Sequence, residues 1–392
     1  MASNGTADAD NGVLRSSEQL ILDLAQEIMP EAQTLLQGTF STHIVRAMLH
    51  VLAGIDIASS RRSKKSETFR TKSHLPHQVG SRKAETSTMQ LVPPSFPVSL
   101  KALREACLPR DVTGRNEVRA LLVSPSASPT FALLISLEAQ ARESVQSGSL
   151  ADVVLEGLIS DECSSLAESE AQGGVETLLR HPSGSHTLEA LLAHLPTDTA
   201  GRFWRVYVQG KVTRLSCHPV ANFVLMAAAK RLNQEVLKSA LTEIHDAQGG
   251  KMVKENKTGV LLALLARAAA LSKKSQNHDI EGLAFDATLA AFGLEASDTE
   301  SGLLLQTILA LKTKEGWRKM MKRRTEKEKA NEKAGVEQSV DGDADRKAKR
   351  KRDEEVHDPG SLRSDEVTVQ GSILLQALVR VGHSKRERVY QR

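Results

Sequence analysis

With 392 residues, 40% of them hydrophobic, the chain has enough apolar material to bury a sizeable core over most of its length. Aromatic residues make up only 3% while Leu and Ala dominate, which excludes a β-rich fold and favours helices. The formal charge of +4 is small because it averages over two strongly basic stretches, and the widely spaced Cys107, Cys163 and Cys217 form neither a disulfide framework nor a CxxC zinc module. A reducing, intracellular setting fits such a chain.

In chain order, residues 1–17 read as a polar, acidic, disordered tail without a secretory leader. Residues 18–58 hold a first helical repeat around Thr39-Phe-Ser-Thr-His-Ile-Val-Arg-Ala-Met-Leu49. Residues 59–99 carry Pro76, Pro93, Pro94 and Pro97 among basic residues from Arg61 to Lys83, with little apolar periodicity, and read as a disordered insertion. Residues 100–317 return to helices. A second insertion, 318–360, contains Lys322-Arg-Arg324 and Arg346-Lys-Ala-Lys-Arg-Lys-Arg352. It reads as a basic, disordered insertion that begins as a continuation of the preceding helix, its charge marking either a solvated face or a signal for nuclear import or nucleic-acid contact. Residues 361–392 hold a last, incomplete repeat.

The longest apolar run, Gly259 to Leu271, is interrupted by Arg267. It is too short for a hydrocarbon core of about 30 Å, and no membrane partner is expected.

Internal periodicity organises the helices. His181-Pro-Ser-Gly-Ser-His-Thr-Leu-Glu-Ala-Leu-Leu192 is echoed 37 residues on by His218-Pro-Val-Ala-Asn-Phe-Val-Leu-Met-Ala-Ala-Ala229. In each, Pro presets φ for a helix start. In the first, Leu188, Leu191, Leu192 and Leu195 then recur at i, i+3, i+4 and i+7, a stripe that needs a neighbour. Weaker copies surround Ser128, Gly259, Gly302 and Ser372. Taking Thr42, Ser128, Ser185, Asn222, Gly259, Gly302 and Ser372 as helix openings gives a unit of about 37 residues, with insertions in the longer intervals.

Chemistry is not marked. The sequence has no phosphate-binding GxxxxGK[ST] loop, no HExxH and no GxSxG elbow. His181 and His218 read as helix-start residues, because adjacent Cys217 and His218 would chelate a metal awkwardly. No enzyme, metal or cofactor is expected.

Each window consists of a small or polar residue, a variable one, two apolar residues and another variable one. This pattern resembles the RNA-reading helix of Pumilio repeats. In that family the first and fifth residues touch a base edge and the second stacks between bases. The resemblance implies RNA-binding roles for Ser185, His186 and Glu189, whose Ser with Glu is similar to a guanine-reading pair. It implies them also for Ser372, Ile373 and Gln376, similar to an adenine-reading pair, and for Asn222 and Phe223, where Met226 departs from the pattern. Thr42, His43 and Arg46 follow it with an unusual Arg. Ser128 is followed by Pro129 and Ala132, Gly259 and Gly302 have no side chain, and Gln306 lacks a partner.

Such degenerate windows, with large insertions, resemble the divergent nucleolar Pumilio-like family of small-subunit ribosome biogenesis, the nucleolar protein nine family, more than the regular messenger RNA regulators. The runs Glu18-Gln-Leu-Ile-Leu-Asp-Leu24 and Phe203-Trp-Arg-Val-Tyr207 belong to the same likeness. It covers most of 18–380 outside the insertions and is closest over 174–232.

The resemblance implies an all-α, right-handed, armadillo-type α-solenoid that starts in mid-array, as a fragment would. It also implies a monomer that binds precursor rRNA beside pre-ribosomal assembly factors in the nucleolus during 18S maturation. A HEAT- or armadillo-like protein scaffold is the rival reading, and exposure of the windows on one face distinguishes the two.

Overall fold

The computed structural model describes residues 15–55, 91–108, 112–141, 143, 146–160, 173–247, 250–275, 279–295, 303–337, 362 and 366–381, and no strand occurs among them. The insertion residues 56–90 and 338–361, Cys163, Gly302 and the cluster from Arg346 to Arg352 lie outside the described residues. The chain divides into two compact units, residues 1–157 and 158–392.

In the first unit, Ser16 caps helix α1 (Ser17–Ile28) by accepting from the Gln19 N–H at 3.1 Å. Helices α2 (Ala32–Gln37) and α3 (Ser41–Leu52) follow and pack together. Helix α4 (Phe96–Ala106) packs on α3 and α1. It starts inside the stretch 59–99 expected to be disordered, and this corrects that boundary. Pro97 sits in its first turn, where its missing N–H has no partner to lose. Helices α5 (Val112–Leu122), α6 (Ser128–Gln140) and α7 (Leu150–Val154) complete the unit. The buried Glu138 carboxylate caps α7, accepting from the N–H groups of Leu150 (2.8 Å) and Ala151 (3.2 Å).

The second unit shows the repeat plainly. A short leading helix, a middle helix and a third helix recur as α8 (Gly173–Arg180), α9 (Pro182–His194) and α10 (Thr197–Phe203). The next set is α11 (Val212–Cys217), α12 (Ala221–Ala229) and α13 (Gln234–Ala247). Then come α14 (Lys251–Lys254), α15 (Gly259–Ser275) and α16 (Asp279–Phe292). After these run α17 (Leu303–Leu309), α18 (Lys314–Glu337) and α19 (Val369–Val381). Helix α18 enters the 318–360 stretch as a helical start was expected to, but runs on to Glu337, so the expected disorder is corrected over that part; its Lys, Arg and Glu are good helix formers.

Middle helices α9, α12, α15 and α19 lie side by side in that order. Leading helices α8, α11 and α17 pack on α9, α12 and α19 respectively. Helix α17 is therefore the leading helix of the last repeat, and α19 is its middle helix. Gln306 thus lies on a leading helix, whose Leu-rich outline is the same as that of a middle one, while Gly302 lies outside the described residues.

Local chemistry explains each start. The ring Nδ1 of His181 accepts from the N–H groups of Ser183 (3.2 Å) and Gly184 (3.3 Å), and that of His218 from Val220 and Ala221 (both 3.2 Å). Both histidines cap helices, as their place before Pro suggests. In the last repeat Thr368 takes this role: its Oγ1 accepts from the Gly371 N–H at 3.0 Å, and its N–H and hydroxyl both donate to the Leu309 carbonyl at 2.9 Å. Those bonds join residues 59 apart, so the leading and middle helices meet as they do in an uninterrupted repeat.

The third turn of contacts is between repeats. Arg231 donates through Nε (2.9 Å) and a terminal nitrogen (2.6 Å) to the Leu195 carbonyl at the end of α9. Arg267 donates likewise to the Leu232 carbonyl at 2.7 Å, just past α12. A cation at a helix C-terminus satisfies an orphan carbonyl and opposes the dipole's negative end. The two largest buried side chains, Trp204 and Tyr207, follow α10, and the ring of Phe203 at its end lies 5.4 Å from that of Tyr207, tilted by 44°.

Candidate nucleic-acid interface

Helices α9 and α12 share one burial pattern, which α15 and α19 follow more loosely, set by the 3.6-residue period of a helix pressed between two neighbours. Position one is buried, two is exposed, three and four are buried, five and six are partly open, seven and eight are buried, and nine is open. Ser185 to Ala193 and Asn222 to Lys230 follow it residue for residue. In α15 the pattern fits only if Thr258, 5% exposed, is position one and Gly259 is position two. This moves the expected window back by one residue. Thr258 and Gly259 are both small, so sequence alone does not separate the two registers.

The first positions turn inward. Ser185 donates its hydroxyl to the Pro182 carbonyl at 3.1 Å, and the Asn222 amide donates to the carbonyls of His218 (2.6 Å) and Pro219 (3.0 Å). Ser372 donates to the Thr368 carbonyl at 3.1 Å. Thr42 is fully buried, its hydroxyl bonded to that of Thr130 at 3.1 Å, and Ser128 is 2% exposed. Ser185 is likewise 2% exposed and Asn222 7%, so none of these four first-position side chains is open at the surface. Position one is the point at which a middle helix meets its neighbours, so a small polar residue there serves packing first.

The second positions are open. His43, Pro129, His186, Phe223 and Ile373 are all exposed, Phe223 by 52% and Ile373 by 44% despite being apolar. Within the second unit, His186, Phe223, Gly259 and Ile373 occupy the same place on four adjacent middle helices. At the fifth positions stand Arg46, which bonds His43 Nδ1, then Ala132, Glu189, Met226, Leu262 and exposed Gln376. The ninth positions add Lys230 and Arg380, both exposed, which the windows alone did not reveal. A cation eight residues after a window's first residue is the signal that would have found them.

Glu189 is the unusual group. Its Oε1 is shielded from solvent and has no hydrogen-bond partner, and it lies 3.5 Å from His186 Nδ1. Burial pushes the carboxyl above the usual carboxylate range, against the charges of His186 and Lys230. A raised folded-state value means that folding favours the protonated acid. The stability it contributes is complete below the ordinary carboxylate value and is lost as pH rises through the raised one. Glu189→Gln removes the titrating group, so its denaturation midpoint is expected to fall less than wild type's as pH rises through that window. Parallel midpoint curves for the two proteins contradict this.

No other chemistry gathers here. Among the described residues no cluster of three or more His, Cys, Asp or Glu could hold a metal ion, and no helix is long and apolar enough to cross a membrane. Burial pushes the Cys107 thiol up to about 12, which leaves it unreactive.

Comparison with known proteins agrees with this geometry. The family model of the NOP9-like PUF repeat domain matches residues 2–392. Nucleolar protein 9 of Ajellomyces dermatitidis is 27% identical over 301 residues, covering 74% of this chain and 41% of that protein. Nucleolar protein 9 of Yarrowia lipolytica is 26% identical over 312 residues, covering 76% and 39%. The chain thus spans about two fifths of the length of these relatives. Among solved structures, that of APUM23-GGAUUUGACGG is similar at a TM-score of 0.56 and 17% identity, over 92% of this chain and 55% of the other. APUM23-GGAGUUGACGG gives 0.53 and 17%, over 92% and 55%. The middle-helix array, the shared window positions and the match over nearly every residue establish that the chain belongs to the NOP9-like PUF repeat family, with its all-α repeat solenoid fold.

Proposed function

We propose that the chain binds RNA across the exposed window positions of its middle helices, and that the RNA is precursor rRNA of the small ribosomal subunit in the nucleolus. One observation carries the binding mode: His186, Phe223 and Ile373 stand exposed at the second positions of the middle helices α9, α12 and α19. Glu189, on the same helix face as His186, is half-buried and lies 3.5 Å from its Nδ1. His186 and Phe223 present flat rings on either side of it in sequence, suited to stacking. The relatives named Nucleolar protein 9, and APUM23 in structures with uridine-containing sequences, support RNA as the ligand class.

Because the first-position groups bond their own helix starts, recognition rests on base planes and on Glu189 and Gln376, and is looser than one base per repeat. A filter-binding titration at low salt with structured precursor rRNA fragments tests this. Phe223→Ala is expected to weaken binding by about 1–3 kcal/mol, the loss of one stacked base. Equal affinities for the two proteins would remove Phe223 from the interface. No binding at all by wild type would overturn the reading and favour a protein-binding scaffold.

A further inference from the structure

We propose that helix α18 is a phosphate-binding arm, rooted beside the last window and directed at the backbone of the same RNA; this rests on the RNA reading above. Between Lys314 and Ala330 the sequence holds eight basic and three acidic residues. Arg318, Lys322 and Lys329 line one row of the helix, and Lys319, Arg323 and Lys327 line the next, all exposed. Among the described residues Arg318, Lys322, Arg323 and Lys327 have no carboxylate partner, whereas Lys319 pairs with Glu315 at 2.6 Å.

Two features set this apart from an ordinary solvated charge run. First, its root is fixed. Thr313, 7% exposed, caps the helix by accepting from the Gly316 N–H at 3.2 Å, and Trp317, one turn on, is 3% exposed. The Thr313 methyl lies 2.7 Å from where a Cβ on Gly250 would stand, so only glycine at the start of α14 lets the root seat there. From Arg318 to Ala330 none of the described side chains of this rod is buried. Second, the rod opposes itself. Arg318 with Lys322, Lys319 with Arg323, and Arg323 with Lys327 are like charges at i, i+4, each unfavourable to the helix. A polyanion laid along both rows removes that repulsion; a small anion would not span them.

Position supplies the partner. Leu309, whose carbonyl accepts from Thr368 at the head of α19, is five residues before Lys314. Five residues of chain reach at most about 18 Å. The arm therefore springs from within that distance of Thr368 at the head of α19, the helix that carries Ile373 and Gln376, where a strand crossing the middle helices would arrive. The continuous backbone of that RNA is the polyanion the geometry fits.

The test uses the whole chain with Arg318, Lys322, Arg323 and Lys327 all changed to Gln, which keeps helix-forming side chains in the rod. Affinity for the precursor rRNA fragment is measured over a range of salt. Losing four phosphate contacts is expected to flatten the slope of log K against log salt by about 3, at roughly 0.7 per contact on single strands. Phe223→Ala, being uncharged, is expected to lower affinity with the slope unchanged. If wild type binds and the quadruple variant keeps its slope, the arm proposal is overturned and an acidic protein surface becomes the better occupant. If wild type binds no RNA, the window reading falls first and the arm with it.

Discussion

Gly371→Ala is expected to destabilise the last repeat by about 3 kcal/mol, although Gly→Ala inside a helix ordinarily stabilises by up to about 1 kcal/mol. A Cβ at Gly371 would stand 2.3 Å from the Ile308 carbonyl oxygen and 2.5 Å from that of Leu309. Both are backbone atoms of α17, which cannot swing aside as a side chain can. Relief requires α17 and α19 to part, and that breaks the two bonds from Thr368 to Leu309 that close the insertion. The equivalent residue in α9, Gly184, meets Leu178 in the same way, with its side chain at 2.7 Å and its Cα at 3.3 Å. Gly201 in α10 is the control, because a Cβ there meets Val236 at an ordinary 3.5 Å. Gly201→Ala should be neutral or stabilising. Denaturant unfolding of both variants measures the contrast, and a stabilising Gly371→Ala would show that the helices do not approach this closely.

Trp204→Ala should cost about 3–5 kcal/mol, the range for emptying a large aromatic site. Trp204 is 1% exposed and stands between Phe203 and Tyr207, which are 0% and 1% exposed. The indole fills the turn of wider helix from Trp204 to Val208 that carries the chain from α10 toward α11. In a solenoid each repeat leans on its neighbours alone. Amide exchange should therefore accelerate through α9 to α12 while α19 keeps most of its protection. Uniform acceleration across the second unit would indicate a more cooperative body than nearest-neighbour stacking provides.

Much of this was legible in the sequence because the repeat writes the same physics twice. His181-Pro and His218-Pro start helices with a ring nitrogen as cap, and the Leu stripe from Leu188 to Leu195 needs the neighbour it has. What failed, failed where the pattern is degenerate. The outline around Leu303–Leu309 suits a leading or a middle helix equally, and only the packing of α17 on α19 decides. Thr258 and Gly259 allow two registers, and burial picks one. The inward turn of Ser185 and Asn222 follows from carbonyls at their own helix starts, which spacing does not reveal. The length of helix α18 was hidden because a basic composition resembles a disordered stretch. Its order comes from two residues at the root, Thr313 and Trp317.

The most direct measurement is photo-crosslinking of the intact chain to precursor rRNA, followed by mapping of the modified peptides. Adducts are expected on the peptides carrying His186, Phe223 and Ile373, the second positions of α9, α12 and α19. Adducts confined to the third helices α10, α13 and α16, or none where RNA is bound, would contradict RNA recognition by the middle-helix face.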